Sequence, residues 1–367
     1  MNIPRRHFLL NTGLATSAAA LAACQPAVEN NTSTTAATQQ RFKWKMATTW
    51  PRDFPGAGTG AQRLADNIRT MSNGRLNITV YGAGELIPAF EVFDAASAGI
   101  IEMGHGAAYY WKGKTAAAQY FANLPFGMTA EECNAWLYYG GGLELWRELY
   151  EPFGLDVLPA GNTGVQMAGW YGREVNSIED IKGLKIRMPG IGGEILRRAG
   201  AIPQTLPGAE IFTALSTGTI DATEWIGPWN DLALGLHQAA KNYYYPGWHE
   251  PGSVLECMFN RDAFNQLPDD LKAIVRSACA TANQDILAEY NARNQQALET
   301  LVNVHNINLK PLPKALLDEL HEIADVVIAE LAETSELAGR INQSYFDFYK
   351  NVSQWTELGI STYLKSR

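Results

Sequence analysis

The pattern of apolar and polar residues switches between a strand period and a helix period along most of the chain. Residues 42–49 (FKWKMATT) and 75–82 (RLNITVYG) have the alternation and composition of strands. Between them, apolar residues recur at helical spacing from Ala61 to Met71 and stop at the turn-forming pair Asn73-Gly74. Further strand patterns occur at 155–159, 164–171 and 184–188. This alternation predicts an α/β fold.

One segment of the sequence occurs twice, at a constant offset of 119 residues. PAFEVFDAASAGIIE (88–102) and PGAEIFTALSTGTID (207–221) share seven identities in fifteen positions. In each copy a proline opens a helical pattern, and a glycine (Gly99 or Gly218) ends it before a short strand pattern. Two copies of one helix–strand unit predict two similar lobes. A cleft between lobes is a favoured place for a ligand.

Two long helical patterns occupy the C-terminal part of the chain. The first runs from Pro268 to about Val302, and the second covers about 334–358. In the second, apolar residues step by four and three, as in a coiled coil: Ile341, Tyr345, Phe348, Val352 and Trp355. Because two heptads are few, we first expect packing on the chain's own body, with pairing to a second subunit as the alternative.

The N-terminal residues predict export rather than fold. Arg5-Arg6 precedes an apolar stretch that runs to Ala23, as in a signal of the twin-arginine type. The sequence LAAC (21–24) has the form of a lipobox, so Cys24 is expected to be acylated, with an unmodified Cys24 as the alternative. Residues 24–41 lack large apolar side chains, which is typical of a flexible tether. We therefore expect a mature protein in the periplasm.

Composition and charge exclude several classes of protein. The chain of 367 residues is 46% hydrophobic and carries a formal net charge of −9, which argues against nucleic acid as a partner. Beyond Cys24, the three widely spaced cysteines have no metal-ligand spacing and are interpreted as buried apolar residues. GAGTGA (56–61) has the form of a dinucleotide loop, but TWPRDFP separates it from the strand. We interpret it as a glycine-rich loop that enters a helix beside a cleft.

Four polar side chains stand out as candidates for binding a ligand. Arg187 ends a predicted strand, where its guanidinium can hold a carboxylate or, equally, form a surface salt bridge. Gln166 lies in an apolar strand pattern, Glu224 ends the strand of the second repeat, and Glu250 lies in the turn-rich PGWHEPG. Two carboxylates and an amide oxygen form a hard oxygen set suited to Na⁺ or Ca²⁺ rather than zinc. Glu224 and Glu250 are also candidates for acid and base in a metal-dependent lyase or hydrolase.

The chain from Phe42 to the C-terminal helix resembles the solute-binding proteins of tripartite ATP-independent periplasmic (TRAP) transporters. The similarity is greatest to the branch that binds 2-oxo acids and other small monocarboxylates with a metal ion. It rests on an ordered series of motifs: TWP (49–51), GELIPAFEVFDAASAG (84–99), MGHGAAYYW (103–111), NTGVQMAGW (162–170), KIRMPG (185–190), DATEWIGPWND (221–231) and WHEPG (248–252).

This resemblance implies a non-catalytic receptor with two α/β lobes, joined by cross-over strands and a long helix, that delivers its ligand to a membrane permease. The implied segments are 42–160 as mainly lobe 1, 161–265 as mainly lobe 2, 266–333 as the long helix and return segments packing on both lobes, and 334–367 as the C-terminal helix, a possible dimer helix.

The resemblance also implies roles for individual residues. Arg187 would pair with the substrate carboxylate. Four groups would surround a cation, Na⁺ in the first place and Ca²⁺ as the alternative: Gln166, Glu224, the backbone oxygen of Trp225, and Glu250. Residues expected to line the pocket are Tyr109, Tyr110, Asn162 and Trp229. A homodimer through an exchanged C-terminal helix occurs in this branch.

Overall fold

The computed structural model describes residues 40–367. The predicted signal (1–23), Cys24 and the predicted tether up to residue 39 lie outside the described residues. The strands are β1 Phe42–Thr48, β2 Leu76–Tyr81, β3 Met103–Gly106, β4 Leu155–Asn162, β5 Gly169–Tyr171, β6 Lys185–Arg187, β7 Ile202–Gln204, β8 Ala222–Thr223, β9 Asn242–Tyr245, β10 Val254–Asn260 and β11 Asn308–Pro311.

Helices connect and cover these strands. They are α1 Ala57–Met71, α2 Val92–Ser97, α3 Gln119–Ala122, α4 Ala130–Tyr139, α5 Gly142–Tyr150, α6 Gly190–Arg198, α7 Gly208–Ser216, α8 Pro228–Ala233, α9 Arg261–Asn265, α10 Asp269–Asn303, α11 Lys314–Ala332, α12 Glu336–Thr356 and α13 Thr362–Lys365. Across residues 40–367, no helix is both long enough and apolar enough to cross a membrane.

Within the described residues the strands form two mixed sheets. The first has the order β2-β1-β3-β10-β4, and the second has the order β11-β9-β5-β8-β6-β7. In the first sheet, β1 is parallel to β2 and β3, whereas β10 is antiparallel to β3 and β4. Each sheet forms the centre of one lobe, so the predicted two-lobed α/β fold is confirmed.

The chain passes between the sheets three times, the third time through α9 and α10 from β10 to β11. Residues 163–168 lead from β4 in the first sheet to β5 in the second, and residues 246–253 lead from β9 back to β10. The segment 161–265, predicted as mainly the second lobe, is therefore divided, because β10 lies in the first sheet. There, the buried residues of β10 fill the space between β3 and β4.

The long helix α10 contacts both lobes. It packs on β4 and α1 of the first lobe and on α8 of the second. At its contact with α1, a Cβ added to Gly56 would lie 2.6 Å from the Tyr290 ring. GAGTGA, interpreted as a glycine-rich loop that enters a helix, therefore lies almost entirely within the helix itself. Ala57 begins α1, and the glycines in its first turn allow neighbouring segments to approach closely.

The two copies of the repeated segment have the predicted form. Gly99 and Gly218 follow helices α2 and α7, with φ of 71° and 73°. This left-handed conformation, which favours glycine, ends the helix. Each copy then enters a strand that is parallel to one neighbour and antiparallel to the other: β3 in the first sheet and β8 in the second. The residues after β3 and the residues after β8 both contact Arg187, as described below.

The first half of the C-terminal seam packs on the chain's own body. Ile341 and Tyr345 are fully buried, and the Tyr345 hydroxyl donates to Asn123 Oδ1 at 2.6 Å. The second half differs, since Trp355 is 66% exposed and Leu358 is 71% exposed. After α12 the chain continues through a π-helical turn, Glu357–Ser361, into α13.

Candidate functional site

The charged end of Arg187 is buried. Arg187 is the last residue of β6 and is 1% exposed. Its Nη1 forms an ion pair with the Glu224 carboxylate, and its Nε donates to the Leu206 carbonyl at 3.2 Å. The guanidinium carbon lies 5.0 Å from the centre of the Trp225 ring. The alternative interpretation of Arg187, as half of a surface salt bridge, is therefore excluded.

The pairing of β6 with β8 places Glu224 beside Arg187. Arg187 is in register with Thr223, the last residue of β8, and the Glu224 backbone N–H donates to the Arg187 carbonyl at 3.2 Å. Glu224 Oε2 also lies 3.5 Å from Nε2 of His249, which is 2% exposed. Burial disfavours the charged form of Arg187 and acts to lower its pKa. Glu224 and other acidic neighbours have the larger effect, so the pKa of Arg187 is raised.

Gln166 and Glu250 lie side by side on the two cross-over segments. Gln166 does not lie in a strand as predicted, because its backbone hydrogen bonds link the two segments instead. Its N–H donates to the Glu250 carbonyl at 3.2 Å, and its carbonyl accepts from the Gly247 N–H at 2.9 Å. Its Nε2 donates to Glu250 Oε2 at 2.7 Å. Burial, with repulsion from Glu224, raises the pKa of Glu250 to about 7, although His249 acts in the opposite direction.

Three of the residues expected to line the pocket come from the first lobe. Tyr109 and Tyr110 lie in a helical turn after β3, and the Tyr110 hydroxyl accepts from Arg187 Nη2 at 3.4 Å. Asn162 ends β4 and is fully buried. Its Oδ1 accepts from the Gly164 N–H at 2.9 Å, whereas its Nδ2 has no hydrogen-bond partner within residues 40–367.

The remaining predicted residues, Trp225 and Trp229, follow β8 and have different surroundings. The Trp225 ring lies between Arg187 and two aromatic rings of the first lobe, Trp50 at 6.3 Å and Phe54 at 6.0 Å. The Trp229 ring instead packs against Tyr290 of α10, with ring centres 5.6 Å apart. The structure therefore brings Trp225 into the cluster around Arg187 and places Trp229 against the long helix.

The oxygen atoms of this cluster are suited to bind a hard cation. Gln166 Oε1 is buried and has no hydrogen-bond partner in the described part of the chain, so it is available to a ligand or an ion. It lies beside Glu250. Among residues 40–367, no group of three or more His, Cys, Asp and Glu side chains could hold a metal. Carboxylate, amide and backbone oxygens are hard donors, which fit sodium or calcium better than a transition metal.

Two buried histidines, His105 and His249, differ in their surroundings. His105 Nδ1 accepts from Trp50 Nε1 at 2.8 Å, and its Nε2 donates to the Ala160 carbonyl at 3.2 Å. Burial lowers the pKa of His105 to about 4, so it is a neutral structural residue. His249 instead contacts Glu224, which sequence reasoning did not predict. The feature of the sequence that could have indicated this contact is the position of His249 next to Glu250 in WHEPG.

The fold and this cluster define a two-lobed binding protein for a small anionic ligand. Residues 46–335 match the family model described as bacterial extracellular solute-binding protein, family 7 (DctP), and the chain belongs to that family. The members are solute receptors, which excludes the alternative of a lyase or hydrolase that uses Glu224 and Glu250.

Three similar proteins have informative names. The chain is 39% identical, over 98% of its length and 97% of the other protein, to a monocarboxylate 2-oxoacid-binding periplasmic protein of Nostoc sp.. It is 40% identical to a TRAP periplasmic solute-binding protein of Pseudoalteromonas atlantica crystallised with sodium and pyruvate. That structure covers 89% of this chain and 100% of its own, with a TM-score of 0.87.

The third is a TRAP transporter solute-binding protein of Bordetella bronchiseptica, 34% identical. It covers 89% of this chain and 97% of its own, with a TM-score of 0.87. It is described as a mixed-occupancy dimer with copurified calcium and picolinate in its active site.

Proposed function

We propose that this protein binds a small 2-oxo acid such as pyruvate together with a cation and delivers it to the membrane permease of a TRAP transporter. The observation that carries the proposal is the buried Arg187 guanidinium, which contacts Tyr110 of the first lobe and Glu224 of the second. A guanidinium fork binds a carboxylate through two charge-assisted hydrogen bonds. Tyr109, Tyr110 and Asn162 would line the pocket.

The cation would be held by Gln166, Glu224, the backbone oxygen of Trp225, and Glu250. It supplies positive charge to a site that otherwise collects two protein carboxylates and the substrate's own. The carboxylate and keto oxygens of a 2-oxo acid are spaced to bind one cation together. Sodium is our first choice and calcium the alternative, because relatives of this chain were crystallised with either ion.

Two further proposals concern location and assembly. We infer that the chain is exported by the twin-arginine route to the periplasm, with Cys24 as a site of lipidation. We also infer a homodimer in which the exposed apolar side chains around Trp355 and Leu358 are covered by a second copy. The dimeric relative supports this assembly.

Calorimetric titration of the metal-stripped mature protein with pyruvate tests the function. Tight binding that requires Na⁺ or Ca²⁺, with pyruvate recovered unchanged, is the expected result. Succinate, a dicarboxylate without a keto oxygen, is the comparison ligand and should bind much more weakly. Consumption of pyruvate, or equal binding with and without either ion, would contradict the proposal.

A further inference from the structure

A small cavity adjoins the proposed site on the side of Tyr109 and Glu250. Its volume is about 10 Å³, which is about the space needed for one water molecule. Apart from Glu250 and His249, much of its wall is apolar or aromatic, with Pro125, Pro189 and Tyr109. Since Arg187 and the cation would take the oxygens of a 2-oxo acid, its carbon chain needs separate room. This cavity is beside one of the proposed cation ligands and offers that room.

The histidine in this wall independently points to a ligand. His249 is 2% exposed, and its Nδ1 has no hydrogen-bond partner among the residues that the structure describes, whereas its Nε2 lies 3.5 Å from Glu224 Oε2. Buried polar side chains are normally hydrogen-bonded, to protein, water or ligand. Its Cβ lies 3.0 Å from the position that a Cβ on Gly192 would take, so α6 approaches it closely.

A much larger groove lies behind the cavity. It has a volume of about 370 Å³ and runs between α6 and α11, with Glu194 and Val327 in its wall. The cavity and the groove share three wall residues: Gln119, Gly190 and Ile191. Gln119 is 8% exposed, and its Nε2 donates to the Ala116 carbonyl at 3.1 Å. Its side chain therefore lies fixed at the boundary between the two spaces.

We propose that Gln119 sets the chain length of the acid that the site accepts. This inference rests on the proposed function. A methyl-sized group, as in pyruvate, fits a space of one water molecule. A longer chain has to displace Gln119 before it reaches the groove. Removal of the Gln119 side chain joins the cavity to the groove and creates a path for longer 2-oxo acids.

The test compares dissociation constants for pyruvate and 2-oxohexanoate, measured by calorimetry at saturating sodium. The wild type is expected to prefer pyruvate by at least about tenfold, as one ill-fitting methylene can cost that much. In Gln119→Ala, this preference should fall by at least about tenfold. Gln119→Met is the matched control, because it loses the hydrogen bond to Ala116 but keeps the volume. It should retain the wild-type preference.

The outcomes separate this inference from the function on which it rests. Failure of the wild type to bind pyruvate with either Na⁺ or Ca²⁺ overturns both. Wild-type binding of pyruvate with an unchanged preference in Gln119→Ala overturns only the role of Gln119. Equal changes in Gln119→Ala and Gln119→Met also overturn it, since they indicate a structural effect of the lost hydrogen bond. Gln119→Ser is the second truncation if Gln119→Ala does not fold.

Discussion

Arg187 is the side chain whose removal should cost the most ligand affinity. Arg187→Ala removes the guanidinium that would donate to the substrate carboxylate. Truncating one partner of a buried, hydrogen-bonded charge pair costs about 2–5 kcal/mol. The affinity for pyruvate should therefore fall by at least about thirtyfold. Titration calorimetry at saturating sodium measures this loss.

The same substitution leaves Glu224 without its buried partner, which lowers the free energy of unfolding. Thermal unfolding of the variant is therefore measured first. Arg187→Lys keeps the charge without the planar fork and should also bind more weakly than the wild type. Arg197→Ala is the control, because Arg197 is 59% exposed on α6. Near-normal pyruvate affinity in Arg187→Ala would contradict the role proposed for Arg187.

Glu256 gives a prediction about pH that is independent of the ligand site. It is fully buried in β10, where the Tyr150 hydroxyl donates to Oε2 at 2.9 Å and Trp111 Nε1 donates to Oε1. Burial raises the pKa of Glu256 to about 7, despite these two hydrogen bonds. The pKa of Glu256 is higher in the folded protein than in the unfolded chain. The stability that protonated Glu256 contributes is therefore fully present at pH values below its unfolded-state pKa. It is lost as pH rises through about 7.

Glu256→Gln should therefore flatten the fall in unfolding free energy between about pH 4.5 and pH 7. The rise in the pKa of Glu256 corresponds to a loss of unfolding free energy on the order of 3 kcal/mol over this pH range. Urea unfolding of the wild type and the variant at several pH values measures it. Glu144→Gln, at an exposed position on α5, should leave the wild-type pH profile unchanged. The same slope in Glu256→Gln and the wild type would show that Glu256 is not the titrating group.

The sequence suffices to select Arg187, Gln166, Glu224 and Glu250 as polar residues at strand ends and turns, but not to show how they pair. Arg187 lies beside Glu224 because β6 and β8 are neighbours in one particular register. Gln166 meets Glu250 because two cross-over segments, remote in sequence, run together. Such long-range pairings depend on the whole sheet, and local periodicity carries no information about them.

Helix α1 and helix α10 offer a test of packing between elements. Gly56, the residue before α1, has φ of 73°, and a Cβ there would lie 2.6 Å from the Tyr290 ring. Gly74 has φ of 72°, but a Cβ there would meet nothing within 4 Å among the described residues. Alanine at either position carries the left-handed backbone penalty of about 1–2 kcal/mol. Only alanine at Gly56 also collides with α10.

Gly56→Ala should therefore lose more stability than Gly74→Ala, by about 1–3 kcal/mol for the overpacked contact. Chemical denaturation of both variants gives the two free energies of unfolding. Equal losses would mean that the contact between Gly56 and Tyr290 adds nothing to the strain of the backbone. Both variants are needed, because the stability loss of Gly56→Ala contains a contribution from backbone strain and one from packing. Gly74→Ala gives the contribution from backbone strain alone.

Most helices and strands could be predicted from the sequence, since their periods and their Pro and Gly boundaries are local features. The long helix was predicted to about residue 302 and runs to Asn303. The return of β10 to the first sheet was not predicted. The apolar residues of β10 are compatible with a buried strand in either lobe. Only the pairing of β10 with β3 and β4 assigns it to the first lobe.

At the scale of the whole molecule, the two lobes contact each other beside the proposed ligand site. Trp225 of the second lobe packs against Trp50 and Phe54 of the first. On the same side, Asn230 Nδ2 of α8 donates to the Pro55 carbonyl at 3.0 Å. These contacts cover one side of Arg187, so we expect release of a bound acid to require the lobes to separate there. Motion about the two cross-over segments and α10 is the route that the connectivity offers.

Assembly is the remaining property of the whole molecule, and the end of the chain tests it. Trp355 and Leu358 are 66% and 71% exposed, and Tyr363 is 64% exposed on the same C-terminal segment. Covering such side chains contributes about 1.5–3 kcal/mol each. A double variant, Trp355→Lys with Leu358→Lys, should sediment as a monomer where the wild type sediments as a dimer, because the partner would have to bury two unpaired charges. Val304→Lys, at a 66% exposed position after α10, should remain dimeric. A wild type that is monomeric at micromolar concentration, or a double variant that stays dimeric, would contradict the assignment of this face.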